Sequence, residues 1–232
     1  MNGREVILGR IREALKVPAS PPGHHAAPGS PVPDGTHHSA REWLPAVGPA
    51  HADRVELFRK NSEALKTEFH VVDSISAASA TVAGIAKADG WKAVGTHAHE
   101  LVDAAVSGLD GVSFLKTDAG YDKSALAACD AGITSCECLV AQTGSVLVSA
   151  AANGGRALSV LPPHHIVIAT ADQLLADLSE ALAAISAKYQ GHFPSSMSLI
   201  TGPSRTGDIE RILVLGAHGP KKLTVILADC RS

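Results

Sequence analysis

The chain has 232 residues, a formal net charge of -3 and only 3% aromatic residues. It therefore has no excess of positive charge to hold nucleic acid or an anionic membrane, and few rings on which bases could stack. It also lacks an apolar run of the roughly 20 residues that span a bilayer and the apolar core of a signal peptide. Its four cysteines show no framework of paired spacings. We therefore expect a cytoplasmic protein with free thiols.

The N-terminal part of the sequence differs from the rest. Residues 1–17 contain an amphipathic pattern that predicts a helix over 4–16. Residues 18–50 are rich in Pro, Gly, Ser and His, a composition that buries little apolar surface. We interpret them as a linker or an extended arm, followed by one compact domain over 51–232.

The compact domain begins with alternating helices and strands. The apolar patterns predict, in chain order, helix 52–68, strand 70–72, helix 75–88, strand 92–96, helix 100–107, strand 112–115 and helix 124–128. This βαβα order favours a largely parallel sheet covered by helices.

The pattern changes after residue 130. It predicts a hairpin of strands 138–141 and 145–148, strands 157–161 and 166–169, helix 172–188, strand 198–201, a helix starting near Ser204 and a terminal strand 223–227. The predicted fold class is α/β, with three α/β/α layers around a mixed, largely parallel sheet.

The segment 201–210 is the first candidate site, because a strand runs there into a predicted helix start. Backbone N–H groups and the helix dipole favour an anion at such a start, and Gly202 lets the backbone approach a ligand closely. Further hydrogen-bond donors are the hydroxyls of Thr201, Ser204 and Thr206.

Charged residues in the same segment extend this hypothesis. Arg205 can clamp a carboxylate or phosphate with two hydrogen bonds. Asp208 and Glu210 are candidates for acid, base or ligand-orienting groups. The alternative is that the hydroxyls only cap the helix and the two carboxylates only satisfy its dipole.

A second candidate lies between residues 132 and 145. Thr143, Gly144 and Ser145 offer hydroxyls and exposed backbone at a strand turn. Glu137 is the one acid in an apolar stretch, so burial could raise its pKa for acid–base work. The alternative is a surface glutamate in a loop.

The third candidate is the sequence Pro162-Pro163-His164-His165. A strand would point the two imidazoles to opposite sides, so that one could face a site and serve in proton transfer. The alternative for either histidine is a buried, hydrogen-bonded structural role.

The sequence predicts neither a metal site nor a cofactor. Cys136-x-Cys138 lacks the second pair that zinc or iron–sulfur sites need. His97-x-His99-Glu100 stands in an ordinary strand-to-helix loop. No Walker sequence or dinucleotide-binding glycine pattern is present.

These motifs, in their fixed order, resemble the LUD domain of the lactate utilization protein C family. The resemblance is carried by five short sequences, which are Gly132-Ile133-Thr134, Thr143-Gly144, Leu161-Pro162-Pro163-His164, the run 201–210 and Leu215-Gly216-x-His218-Gly219-Pro220. It implies a fold similar to the NagB/RpiA/CoA-transferase group. It also implies a role in oxidising L-lactate to pyruvate together with two iron–sulfur partner proteins.

The resemblance further implies which residues bind a small carboxylate or phosphate. Carried over by position, they are Thr143, Gly144, Ser145, Thr201, Gly202, Ser204, Arg205 and Thr206, and Asp208 adjoins them. One departure is Gln142, where the family commonly has Glu before Thr-Gly. A glutamine can hydrogen-bond but cannot act as a base, so any catalytic carboxylate would be Glu137 or Glu210, with His164 as a further candidate.

Three functional hypotheses follow. The first is a non-redox subunit of a lactate-oxidising system that binds a small anion. The second is an independent sugar-phosphate isomerase or CoA-transferase-like enzyme, which needs a carboxylate or histidine facing the Thr201 turn. The third is a regulatory or scaffolding module that uses the arm at 18–50. Whether the chain forms a homo-oligomer is left open.

Overall fold

The computed structural model describes residues 3–14, 16, 44–206, 214–215 and 219–230. The chain divides into two compact units between residues 43 and 44, and each unit is described by itself. In the first unit, helix α1 covers Gly3–Ala14, in agreement with the sequence prediction. Most of the predicted arm at 18–50 lies outside the described residues, so its role stays a prediction.

The second unit contains the remaining elements. In chain order these are α2 (His51–Leu65), β1 (Glu68–Val72), α3 (Ile75–Asp89), β2 (Ala93–Thr96), α4 (Glu100–Val106), β3 (Ser113–Lys116), α5 (Lys123–Ala127), β4 (Ala131–Thr134), β5 (Cys138–Val140), β6 (Ser145–Ser149), β7 (His164–Thr170), β8 (Leu174–Leu175), α6 (Leu178–Tyr189), β9 (Met197–Ile200), β10 (Arg205–Thr206), β11 (Val214–Leu215) and β12 (Lys222–Ala228).

A six-stranded sheet forms the centre of this unit. Its strand order is β1-β12-β7-β4-β2-β3, and every neighbouring pair is parallel. The predicted α/β class with a largely parallel sheet is therefore confirmed. The finer likeness to the NagB/RpiA/CoA-transferase group stays a prediction.

A second, mixed sheet lies beside the first, with the order β8-β5-β6-β9. Strands β5 and β6 form the predicted antiparallel hairpin, with Cys138 opposite Leu147. Strand β9 continues the sheet antiparallel to β6, and β8 pairs parallel to β5. The short strands β10 and β11 pair with each other.

Apolar packing joins these elements in layers. Helices α3 and α4 cover one face of the parallel sheet, where Val82 and Val102 pack against Ile166 and Ile168. On the opposite face, side chains of helix α2 and of the second sheet pack against odd-numbered residues of β7 and β12. Helix α6 covers the outer face of the second sheet. Alternation along each strand thus sends successive side chains to two different cores.

Local hydrogen bonds set where the helices begin. The hydroxyl of Ser74 accepts the amide of Ala77 at 3.2 Å and caps α3. The carboxylate of Asp177 accepts the amide of Glu180 at 2.8 Å and caps α6. Each cap satisfies an amide that the first helical turn leaves without an intrahelical acceptor.

Three of the elements predicted for the later part of the sequence are wrong. The strand expected at 157–161 is a turn, in which the carbonyl of Ala157 accepts the amides of both Val160 and Leu161. The helix expected from residue 172 begins only at Leu178, because a 3-10 turn and the short strand β8 come first. Where the chain is described, no helix starts at Ser204, since Arg205 and Thr206 form β10, and residues 207–213 lie outside the described residues.

Strand β4 of the parallel sheet was also missed. Strand β4 has only four residues, and all of them are buried, so neither alternation nor length marks it in the sequence. Its Gly132 has a steric role, because a Cβ atom there would lie 2.4 Å from the carbonyl oxygen of Leu158. The turn after β6 can cross β4 this closely only over a glycine.

We expect Gly132→Ala to lower the free energy of unfolding by about 1–3 kcal/mol, because the new methyl group meets backbone rather than a movable side chain. The matched control is Gly84→Ala on the exposed side of α3, where a Cβ meets nothing within 4 Å. That change should raise the stability by about 0.5–1 kcal/mol. Urea denaturation measures both, and equal stability of the two variants would contradict the close approach.

Candidate functional site

The hydroxyls predicted from sequence to bind a ligand do come together. Ser145 Oγ lies 2.8 Å from Thr143 Oγ1 and 2.8 Å from Thr201 Oγ1, where β6 begins and β9 ends. We call these three residues the hydroxyl turn. Ser145 is fully buried and Thr201 is exposed. The buried serine thus has both neighbouring hydroxyls as partners.

Other predicted ligand residues contact helix α2. A Cβ at Gly144 would lie 2.9 Å from Asn61 Cβ, and one at Gly202 would lie 3.1 Å from the carbonyl oxygen of Leu65. The Arg205 guanidinium donates to that same carbonyl. In this structure, the two glycines therefore let their own backbone lie close to the end of α2.

The remaining predicted residues of this segment are only partly described. Ser204 donates its amide to the carbonyl of Pro220 at 2.9 Å, and Thr206 pairs with Val214 in β10 and β11. Asp208 and Glu210 lie outside the described residues. The ligand-binding role of the whole set stays a prediction.

Gln142 supports the backbone next to the hydroxyl turn. Its side-chain Nε2 donates to the carbonyl of Pro45 at 2.9 Å. Its backbone carbonyl accepts a hydrogen bond from Asn61 Nδ2 at 3.0 Å. An ionised glutamate at this position has no proton to donate to Pro45. Gln142, which stands where the family commonly has Glu, therefore makes a hydrogen bond that an ionised glutamate could not make.

Glu137 lies at the other end of the β5–β6 hairpin. Its side chain is only 1% exposed. It accepts hydrogen bonds from Lys188 Nζ at 2.6 Å, Tyr189 OH at 2.5 Å and Ser149 Oγ at 2.5 Å. Ser149 and Ser145 end and begin the same strand, roughly 13 Å apart at the usual rise. Glu137 therefore does not face the hydroxyl turn.

The expected upward shift of the Glu137 pKa is wrong. Burial does raise the pKa of this carboxyl, but hydrogen bonds from Lys188, Ser149 and Tyr189 outweigh burial and leave the pKa below its ordinary value of 4.5. A carboxylate held ionised in this way suits a structural anchor better than a general acid.

Both predicted histidines are buried and point to opposite sides of β7. His164 Nε2 lies 2.8 Å from Thr224 Oγ1, and His165 Nε2 lies 2.9 Å from Thr134 Oγ1. Burial lowers the pKa of His164 and lowers that of His165 to about 3. Neither ring makes a hydrogen bond to the hydroxyl turn.

These positions bear on the isomerase or transferase hypothesis. It requires a carboxylate or histidine facing the Thr201 turn, and Glu137, His164 and His165 have other partners. Glu210 lies outside the described residues. The described geometry gives this hypothesis no positive support.

A different polar cluster lies at the carboxyl edge of the parallel sheet. His97 follows β2, Thr117 and Asp118 follow β3, and Ser135 follows β4. Because β3, β2 and β4 are neighbours, the residues after their carboxyl ends meet. Ligands of open α/β sheets commonly bind at this edge.

A chain of hydrogen bonds fixes this cluster. Glu137 accepts from Ser149 Oγ, and the Ser149 amide donates to Asn153 Oδ1 at 2.7 Å. Asn153 Nδ2 donates to Ser135 Oγ at 2.9 Å, and the Ser135 amide donates to His97 Nε2 at 3.2 Å. Ser149, Asn153, Ser135 and His97 are each at most 2% exposed. We call this series the buried chain.

The buried chain borders a cavity of about 300 Å³. Its walls come from the strand ends and from the turn after β6, and they are formed by His97, Ala98, Thr117, Asp118, Tyr121, Ala150, Ala151, Ala152, Gly154 and Gly155. Thr117 Oγ1 donates to the carbonyl of Gly154 at 3.0 Å, which joins the two walls. A volume of this order suits a small ligand.

His97 enters this cavity as a neutral ring. Burial lowers its pKa, helped by the positive charge that His99 can carry and opposed by the Asp118 carboxylate. Because Nε2 accepts the Ser135 amide, the neutral ring carries its proton on Nδ1. His97 is therefore oriented as a hydrogen-bond donor.

The sulfur chemistry is limited by burial. All four cysteines are free, and only Cys230 is exposed. Burial raises the pKa of the Cys136 thiol well above its ordinary value and that of Cys138 to about 12. Across the described ranges, no group of three or more His, Cys, Asp or Glu could hold a metal ion.

Sequence reasoning missed most of this cavity. It considered His97 only as a metal ligand and did not single out Asp118 or the run Asn153-Gly154-Gly155. The available signal was the set of polar residues directly after three parallel strands, of which only β2 and β3 were predicted. It was not recognised because β4 was not predicted.

Fold and cavity together define a parallel α/β protein with a polar cavity at the carboxyl edge of its sheet. The sequence profile of the LUD domain matches residues 55–228, which include all six strands of the parallel sheet. The chain therefore belongs to the LUD domain family.

Individual relatives agree with this family. Lactate utilization protein C of Macrococcus caseolyticus is 38% identical over 100 residues, which are 42% of this chain and 43% of that protein. The protein of the same name from Deinococcus radiodurans is 32% identical over 118 residues, 50% of this chain and 55% of that protein. The chain thus spans about half the length of these curated relatives.

Two further comparisons cover more of the chain. An uncharacterized protein of Neisseria meningitidis is 25% identical over 97% of this chain and 93% of its own length. The crystal structure of a DUF162 family protein from Deinococcus radiodurans has a TM-score of 0.60 and 20% identity, covering 78% of this chain and 99% of that one. The structural likeness shows a shared fold.

Among the helices of the described ranges, none has both the length and the apolar character to cross a bilayer.

The position of Glu137 gives a prediction about stability. Glu137→Gln removes the charge to which three donors are bonded, so it should lower the stability near neutral pH by about 1–3 kcal/mol. The folded-state pKa lies below the unfolded value near 4.5. The wild-type advantage is therefore complete above that value and is lost as the pH falls through the folded pKa.

Urea denaturation of both proteins over an acidic pH series measures this advantage. The control is Glu63→Gln on α2, because Glu63 is exposed and its side chain makes no ion pair with a described residue. An advantage over Glu137→Gln that grows toward acid pH would contradict the assignment of Glu137 as an ionised anchor.

Proposed function

We propose that this LUD-domain chain acts in the cytosol in the use of L-lactate. In this proposal it is a non-redox subunit that binds a small anionic ligand. Separate partner proteins carry the iron–sulfur chemistry that oxidises lactate to pyruvate.

One observation carries this proposal, namely the match to the LUD domain over residues 55–228. Relatives with this similarity are named lactate utilization protein C in several bacteria. Those relatives are matched over only about half their length, so their whole activity is transferred here as a proposal.

Two surfaces are available for the proposed anionic ligand. At the hydroxyl turn, Gly144 and Gly202 contact α2, and the Arg205 guanidinium donates to the Leu65 carbonyl. At the carboxyl edge, the cavity of about 300 Å³ includes Asp118, whose Oδ1 accepts no hydrogen bond from a described residue. This difference favours the cavity as the ligand site.

The scaffolding hypothesis stays a prediction. It depends on the arm at 18–50, most of which lies outside the described residues.

We expect deletion of the gene to prevent growth on L-lactate as the sole carbon source and to leave growth on a sugar unchanged. A plasmid copy of the full chain should restore growth on lactate. The same tagged chain should co-purify proteins that contain iron and acid-labile sulfide. Normal growth of the deletion strain on lactate would contradict the proposed pathway.

A separate outcome tests the proposed partners. In this outcome the full chain restores growth on lactate while a gently purified complex contains no iron or acid-labile sulfide. That result would leave the pathway in place and remove the stable iron–sulfur assembly from the proposal.

A further inference from the structure

The cavity at the carboxyl edge presents hydrogen-bond donors on one side. The amides of Gly154 and Gly155 make no hydrogen bond with another described residue. Both residues have positive φ angles, of 76° and 84°. His97, only 2% exposed, lines the same cavity and carries its proton on Nδ1. A Cβ at Gly154 would lie 2.8 Å from His97 Cβ, so the two residues are adjacent.

A positively charged residue comes next in the sequence after these two glycines. Arg156 follows Gly155 directly, is exposed and forms no ion pair with a described carboxylate. Lys116, by contrast, is paired with Asp103 at 2.9 Å. The guanidinium of Arg156 is thus available for a carboxylate, which it can hold with two hydrogen bonds.

Asp118 adds a hydrogen-bond acceptor to the lining of the same cavity. Asp118 Oδ2 accepts the amide of Ala98 at 2.7 Å, which fixes the carboxylate in place. Its Oδ1 accepts no hydrogen bond from a described residue. The hydrogen bond from Thr117 to the Gly154 carbonyl keeps the acceptor beside the two glycines.

We propose that this cavity binds a small 2-hydroxy acid such as L-lactate. The carboxylate lies against the amides of Gly154 and Gly155, with Arg156 and His97 as further donors. The 2-hydroxyl donates to Asp118 Oδ1. This inference rests on the proposed role in lactate utilization and names the ligand and the residues of that role.

The arrangement selects a hydroxy acid over the matching keto acid. A hydroxyl has a proton to give to Asp118, whereas a keto oxygen is only an acceptor and would face the carboxylate without a hydrogen bond. The charge of Asp118 also disfavours a second negative group at that position. The site should therefore hold the substrate of lactate oxidation more tightly than its product.

Isothermal titration of the purified full chain with L-lactate, pyruvate and inorganic phosphate tests this proposal. We expect lactate to bind more tightly than pyruvate by about tenfold, the weight of one charge-assisted hydrogen bond. Arg156→Ala should weaken both acids by about tenfold or more. The matched control is Lys60→Ala, which removes one exposed positive charge from α2 and should leave both affinities unchanged.

Asp118→Asn provides the sharpest variant. The amide oxygen can keep the hydrogen bond from Ala98, so the NH₂ group takes the place of Oδ1 and offers a donor. Both the hydroxyl oxygen of lactate and the keto oxygen of pyruvate can accept from that donor, so the preference for lactate should then be lost. Thermal unfolding without ligand checks that each variant folds.

Several results would overturn the inference. Equal affinities of lactate and pyruvate for the wild type, or an unchanged preference in Asp118→Asn, remove the role of Asp118. Loss of lactate binding in Thr201→Val, with retention in Arg156→Ala, moves the ligand to the hydroxyl turn. If neither acid binds and growth on lactate still requires the chain, the ligand assignment is rejected and the proposed pathway is not. Lactate binding with a deletion strain that grows normally rejects the proposed pathway and supports the ligand assignment.

Discussion

The candidate site depends on the buried chain of hydrogen bonds that runs from Glu137 to His97. It begins at a carboxylate held by Lys188 and Tyr189 of helix α6 and passes through Ser149 at the end of β6. It ends on the parallel sheet, at the residues after β4 and β2. Because each member is desolvated, a missing partner would leave a buried polar group unpaired, which costs about 1–3 kcal/mol.

This chain also explains how two sheets build one cavity. The second sheet does not share backbone hydrogen bonds with the parallel sheet, since they are separate in strand order. Asn153 joins them through its side chain, with Oδ1 bonded to the Ser149 amide and Nδ2 to Ser135. The turn that carries Gly154 and Gly155 is thereby held over the carboxyl edge. Glu137, a catalytic candidate from sequence, accepts three hydrogen bonds at the start of this chain, and its catalytic role stays a prediction.

Much of the fold could be predicted from local pattern. The βαβα rhythm up to α5 appears in the structure with boundaries shifted by a few residues, and the hairpin around Gly144 was found from its apolar runs. The errors lie where tertiary contacts decide the backbone. Strand β4 is short and buried on both faces, and the turn at 157–161 has an apolar content that imitates a strand. A local sequence window does not contain the partners that fix either one.

The site was predicted less well, for a related reason. Motif order identified the family, and Ser145 and Thr201 do meet, but the sequence could not say that Leu65 of α2 would contact Gly202 and Arg205. His97, Asp118 and Gly155 are far apart in sequence and become one cavity only through the order of β4, β2 and β3. To predict that these residues meet, the strand order of the sheet had to be known first.

A crystal structure of the protein grown with L-lactate would locate the ligand directly. We expect lactate in the cavity at the carboxyl edge, with its hydroxyl within hydrogen-bond distance of Asp118 and its carboxylate against the amides of Gly154 and Gly155. Lactate bound instead at Thr143, Ser145 and Thr201, or an empty cavity at saturating lactate, would contradict it.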